Sequence, residues 1–144
     1  MPSWPTTSQS IARSSATPGV LLAGYIFGDG YAELQSNTAL YVQATEVGGT
    51  HPALVEAMGR GCPIVANDVP EHREVLAEAG AYYDRNSSPS LASAFRRLLP
   101  DAPARNAYGH AAAERAAALF SWDHVTDEYE RLFARMARGR RRAS

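Results

Sequence analysis

The chain has 144 residues, 45% hydrophobic and 20% charged, with a formal net charge of −1. That length supports one domain with its own core, and the composition excludes wholesale disorder. The near-neutral balance argues against a nucleic-acid binder, which carries a basic surplus. All 14 basic residues are Arg, which excludes Schiff-base chemistry and a P-loop lysine in this chain.

Cys62 is the single cysteine, so no internal disulfide forms and a reducing, cytoplasmic compartment is expected. No apolar run approaches the roughly 20 residues that span a bilayer. Residues 1–18, rich in Ser, Thr and Pro and without the apolar centre of a signal peptide, read as a disordered leader. Val20 to Phe27 is an apolar run bounded by glycines, the pattern of a strand buried on both faces. Gly28-Asp29-Gly30 is a turn, and Tyr31 to Gln35 a short helix ending near Ser36-Asn37. Ala39 to Gln43 is a second buried strand.

The stretch Ala44 to Gly59 then reads as a strand end, a glycine loop and a helix start. Such a junction suits phosphate-bearing ligands, because free backbone N–H groups and the helix dipole both favour negative charge. Pro52 fits the first helical turn. Leu54, Val55 and Met58 form an apolar face, and Gly59 with Gly61 closes the helix. Glu46 in the loop and Glu56 on the helix add more polarity than packing requires.

Pro63 to Ala66 is a third parallel-type strand, Asn67 to Pro70 a loop, Pro70 to about Glu78 a helix, and Ala81 to Tyr83 a fourth strand. The pattern then turns helical. Ser90 to Leu99 places Leu91, Ala94, Phe95 and Leu98 on one face, and Ala104 to Leu119 is alanine-dense. Ser121 caps a last helix in which Val125, Tyr129, Leu132 and Met136 form a stripe, with Trp122 near its entry. The run Arg138 to Arg142 is a frayed cationic tail; attraction to an anionic membrane surface, peripherally at its inner face, is the sharper reading. Strands alternating with helices specify a parallel α/β sheet with right-handed crossovers.

The order of these pieces resembles the C-terminal half of group 1 (family 4) glycosyltransferases of the GT-B fold. Gly24-Tyr25-Ile26 is similar to that family's strand ending in Leu-Gly-aromatic. Pro52 to Ala66 resembles its Leu-Glu-Ala-Met block, Glu71 to Leu76 its Glu-Val-Leu helix, and Phe120-Ser121-Trp122 its Phe-Ser-Trp entry to the last helix. Glu46 to Pro52 is similar to a rhamnosyltransferase-like bacterial subset of polysaccharide synthesis. The resemblance implies a partial Rossmann-like parallel sheet flanked by helices and ending in two or three helices. It further implies an incomplete nucleotide-sugar donor-binding domain over 19–138, followed by a basic tail, 139–144.

By that resemblance the nucleotide-sugar donor is a substrate, with no cofactor and no metal, and Glu56 binds the donor ribose. The family's two glutamates are separated by seven residues; here the position eight before Glu56 is Gly48, and Glu46 lies ten before it. Either a two-residue insertion lets Glu46 take the catalytic place against the sugar, or the backbone of Gly48, Gly49 and Thr50 supplies the contacts. Thr50 and His51 join the donor-binding set, although His51 reads equally as a helix cap. Asn67 and Asp68 stand where base or ribose is expected. Glu74 reads as an exposed helix residue or an ion pair with Arg73, Cys62 as a small buried hydrophobe, and His72, His110 and His124 have no assigned role.

The family's acceptor domain and its diphosphate-binding Arg and Lys find no counterpart here. A complementary N-terminal half or self-association is therefore an expected partner. The function implied is hexosyl or deoxyhexosyl transfer in polysaccharide or glycan synthesis. The alternative is a non-catalytic remnant or a split-half binding module that needs a partner chain.

Overall fold

The computed structural model describes residues 17–142, with side chains through Arg138. Most of the expected leader, residues 1–16, and the last two residues of the tail lie outside the described residues. Two compact units divide the chain at residues 32 and 33.

In the first unit, the strand expected over Val20 to Phe27 does not form. Leu21, Tyr25 and Phe27 are 87, 93 and 79% exposed. A strand needs a neighbour to take its backbone N–H and C=O groups, and this segment pairs with none among the described residues. Gly24 at φ +69 also bends it out of extended conformation, as do Gly19 and Gly28 at the run's two ends, φ +84 and +60. The unit ends in the start of helix α1, Asp29–Ser36, whose first turn carries Asp29.

The second unit follows the expected alternation. Strand β1 (Tyr41–Gln43) leads to α2 (Pro52–Gly59), β2 (Ile64–Asn67), α3 (Pro70–Leu76) and β3 (Ala81–Tyr83). Three helices complete it: α4 (Ser88–Leu98), α5 (Ala102–Leu119) and α6 (Trp122–Arg142). The sheet has three parallel strands in the order β1-β2-β3, with Val42 beside Val65 and Ala66 beside Tyr82. This is the parallel α/β architecture that the alternating pattern specifies.

Side chains alternate across β2, so both faces are apolar. Ile64 and Ala66 pack with Leu54, Met58, Leu76 and Ala112, while Val65 packs with Ala81, Tyr83, Ala94 and Leu98. Helix α5 reaches both clusters: Ala104 and Tyr108 border one, and Ala112 and Ala116 belong to the other. The α5 backbone approaches the end of α2 so closely that a Cβ on Gly109 would stand 2.3 Å from the Gly61 carbonyl oxygen. Cys62 is buried with its thiol on the Gln35 carbonyl oxygen at 3.0 Å, and burial pushes that thiol up.

Capping sets the later helix starts. Ser87 accepts from the Ser90 N–H, so α4 begins ahead of the expected Ser90, and Asp101 accepts from the Ala104 N–H. Ser121 caps α6 as expected, its Oγ accepting from the His124 N–H at 3.2 Å. At the other end α6 stays helical through Arg142 instead of fraying from Arg138. At the C-terminus of α3, Arg115 donates to the carbonyls of Val75 and Glu74 at 2.7 and 2.8 Å. Among the described residues no helix is long and apolar enough to cross a membrane.

Candidate functional site

Parallel strands all deliver their C-terminal ends to one edge, where α/β sheets bind ligands. Here that edge collects the loop 44–51 after β1, Asn67 and Asp68 at the end of β2, and Asp84 to Asn86 after β3. Two polar groupings occupy it.

The first is centred on Thr45. Its Oγ1 lies 2.7 Å from Gln43 Nε2, 3.1 Å from His51 Nε2 and 3.1 Å from His72 Nε2. His72 is fully buried, and its Nδ1 is 2.8 Å from the Asn67 carbonyl oxygen. A carbonyl only accepts, so Nδ1 carries a proton. With His72 neutral, Nε2 then accepts the Thr45 hydroxyl proton, and the two lone pairs of Thr45 take N–H groups from Gln43 and His51. No buried side-chain polar atom among the described residues is left unpaired.

Asn67 extends the same grouping. Its Nδ2 donates to the Thr45 carbonyl and to Asn86 Oδ1, both at 3.3 Å, and its Oδ1 accepts from the Asn86 N–H at 3.2 Å. Fully buried, Asn67 ties the three strand ends together. Asn86 holds φ +58, a left-handed conformation that asparagine tolerates.

The second grouping is exposed. Glu46 accepts from Arg85 Nη2 at 2.8 Å and Nε at 3.2 Å. Hydrogen bonds from Arg85 and then Asn86 hold the Glu46 carboxyl below its ordinary value. Glu46 and Arg85 line a hollow of about 250 Å³ together with Val47, Val69, Pro70 and Glu71. Beside it Arg73 donates to Asp68 at 2.5 and 2.6 Å and lies over the Tyr82 ring, 4.5 Å from its centroid. Arg73 thus pairs with Asp68, not with Glu74 as one reading had it. The Arg73 hydrogen bond lowers the Asp68 carboxyl, and burial pushes the Tyr82 phenol to about 12.

The remaining candidates divide. His51 sits at the N-cap position of α2, yet its imidazole makes no cap hydrogen bond; it turns back to Thr45. Gly48, at φ +148, lies against that ring, and a Cβ there would stand 2.6 Å from His51 Cε1. Gly49 and Thr50 are exposed, and a Cβ on Gly49 would meet open space. Glu56 is exposed on α2, its carboxylate 4.0 Å from Arg60 of the next turn. The other histidines of the sequence are peripheral: His110 pairs with Glu114 at 3.2 Å on the surface. No group of three or more metal-ligating side chains is assembled among the described residues.

The structure adds Thr45, His72, Arg85 and Asn86 to the edge. Thr45 lies within the Ala44 to Gly59 stretch, and Arg85 and Asn86 follow a strand in a turn-forming stretch.

Similarity to known proteins agrees with this architecture. The chain is 36% identical over 86 residues to a phosphatidyl-myo-inositol mannosyltransferase of Mycobacterium leprae (strain TN), a match over 58% of this chain and 23% of that protein. It superposes on a sucrose-phosphate synthase from Thermosynechococcus elongatus with a TM-score of 0.79 at 22% identity, over 92% of this chain and 34% of the other. That likeness shows the GT-B-type fold. The chain thus spans about a quarter of the mannosyltransferase and a third of the synthase. Residues 3–101 match the family model of group 1 glycosyl transferases, and the chain belongs to that family.

Proposed function

We propose that the strand edge of the second unit is the donor wall of a glycosyl transfer site for a nucleotide-activated hexose or deoxyhexose. The observation that carries the reading is the hollow where Glu46 and Arg85 meet at the C-terminal ends of parallel strands, beside the start of α3. A carboxylate accepts sugar hydroxyls, and a guanidinium donates to phosphate oxygens. Negative charge developing on a departing diphosphate is stabilised by donors already aimed at it. In this reading Glu46 contacts the transferred sugar, Arg85 and the loop 48–50 face the diphosphate, and Glu56 holds the ribose hydroxyls. Thr45 and His72 fix the loop from beneath, with His51 and Gly48 packed above them.

Family membership supports donor chemistry of this kind, and the Glu46 to Pro52 stretch supports a rhamnosyltransferase-like member of polysaccharide synthesis. No resident metal or cofactor has a place in the proposal. Transfer itself is a property of the longer enzymes, so binding is the direct readout. Calorimetry of the 144-residue chain with GDP, UDP and dTDP should show heat for one of them, lost in Glu56→Ala and weakened in Arg85→Ala. Absence of heat with all three, from protein that circular dichroism shows to be folded, overturns the reading. Heat unaffected by Glu56→Ala overturns the ribose assignment alone.

A further inference from the structure

The hollow at the strand edge is lined by two carboxylates, Glu46 and Glu71, and by one guanidinium, Arg85. That guanidinium is committed. Arg85 gives Nε and Nη2 to one oxygen of Glu46, at 3.2 and 2.8 Å. The neighbouring Arg73 is committed as well, donating to both carboxylate oxygens of Asp68. Glu71 is half-buried, and among the described residues it has no ion-pair or hydrogen-bond partner. The hollow therefore carries one uncompensated negative charge.

Glu71 follows Pro70 in the first turn of α3. A helix start favours an acid there, which accounts for the sign of the residue. It does not account for the placement. An acid that serves the dipole alone does so from open solvent, without desolvation. Glu71 instead shares a concave surface with a second carboxylate, between the apolar side chains of Val47, Val69 and Pro70. Apolar walls around a cleft focus the field of a charge within it.

We propose that Glu71 is a specificity-determining residue of the sugar subsite: the hollow accepts an uncharged sugar and rejects one that carries a carboxylate. This inference rests on the reading of the hollow as the place of the transferred sugar, and it adds which sugars can enter. A carboxylate offers about four acceptor positions. Arg85 and Asn86 take part of those on Glu46, and the positions on Glu71 are open. An uncharged hexose brings hydroxyl donors to both carboxylates. A uronic acid brings a third carboxylate, while the guanidinium that lines the hollow is already held by Glu46. Within a hollow of about 250 Å³ the like charges cannot separate far, and their repulsion lowers affinity roughly tenfold or more. Glu71 thus discriminates chiefly by repelling the wrong sugar.

The test is calorimetry of the full 144-residue chain at neutral pH, with probes paired so that each pair differs by one carboxylate. The pairs are UDP-glucose with UDP-glucuronate, dTDP-glucose with dTDP-glucuronate, and GDP-mannose with GDP-mannuronate. In the pair whose nucleotide binds, the uncharged sugar should bind roughly tenfold more tightly than the uronate. Glu71→Gln, which keeps the shape of the side chain and removes its charge, should bring the two within about threefold; Glu71→Asp should preserve the difference. Added salt should narrow it in the unaltered chain. A merely structural role for Glu71 would shift both sugars together and leave their ratio unchanged in Glu71→Gln, which overturns the proposal. Equal binding of the two sugars by the unaltered chain overturns it too, and leaves the donor reading standing. Heat from none of the six probes, with circular dichroism showing folded protein, overturns the sugar-subsite reading itself and this inference with it.

Discussion

The hydroxyl oxygen of Thr45 stands 3.1 Å from Nε2 of His72, joining the end of β1 to a helix 27 residues away. His72 gives its other nitrogen to the Asn67 carbonyl, so one buried imidazole couples two strand ends. Replacing it removes both hydrogen bonds and opens a cavity. His72→Ala should therefore cost about 2–4 kcal/mol in urea unfolding. Thr45→Val, which keeps the volume and removes the hydroxyl, should cost about 1–3 kcal/mol, and Thr45→Ser should recover most of that. A Thr45→Val variant as stable as the unaltered chain would mean that the hydroxyl is not the hub.

Gly109 tests the packing of α5 on the end of α2. In an exposed helix interior, Gly→Ala gains about 1 kcal/mol of helix propensity. Here the added Cβ would stand 2.3 Å from the Gly61 carbonyl oxygen, a backbone atom that cannot move without shifting α2. Overpacking of that kind costs about 1–3 kcal/mol or more. Gly109→Ala should lower the urea midpoint, while Ala113→Gly, one turn on, should cost only the propensity. Stabilisation by Gly109→Ala would disprove the close approach.

Much of the fold was legible because its signals are local. Ala81 to Tyr83 and Pro52 to Gly59 fall where an apolar run meets glycine or proline, and Ser121 caps where a serine precedes an apolar stripe. Val20 to Phe27 carries the same local signal as the true strands and does not form one, because pairing depends on a neighbour that periodicity does not reveal. At the site, Glu46 was marked by its place after a strand, but its partner Arg85 lies 39 residues on. His72 carried no signature at all: a histidine on a short helix reads as surface until the fold buries it under Thr45. Asn67 was placed on the correct edge, but its tie between the strand ends was not legible, since position after a strand does not reveal which side chains the fold buries.

Gly48 holds the glycine loop against the His51 ring. A methyl group there would sit 2.6 Å from His51 Cε1, in a backbone conformation at φ +148 that side chains rarely adopt. The loop is exposed, so Gly48→Ala should cost only about 1–3 kcal/mol of global stability. Its larger effect should be local, turning His51 away from Thr45. Nitrogen shifts of the His51 imidazole report this directly: Nε2 should lose its hydrogen-bonded signature in Gly48→Ala and keep it in Gly49→Ala. Equal shifts in the two variants would leave Gly48 without a special role.

The Glu46–Arg85 pair predicts how the candidate site responds to acid. Hydrogen bonds from Arg85 and Asn86 hold the folded Glu46 carboxyl below its ordinary value of 4.5. Because the folded value is the lower one, the unfolded chain binds the proton first as pH falls. The pair's contribution to stability is thus complete above the ordinary carboxylate value and is lost as pH drops through the folded one. Solvent exposure and salt keep that contribution small, so the titration is the better measurement. Carbon NMR of the Glu46 carboxyl should show a midpoint below 4.5 that rises in Arg85→Ala. If Glu46 also contacts the donor sugar, nucleotide-sugar affinity should stay level down to about pH 5 in the unaltered chain and begin to fall at higher pH in Arg85→Ala. A midpoint indifferent to Arg85 would show that the pair does not hold in solution.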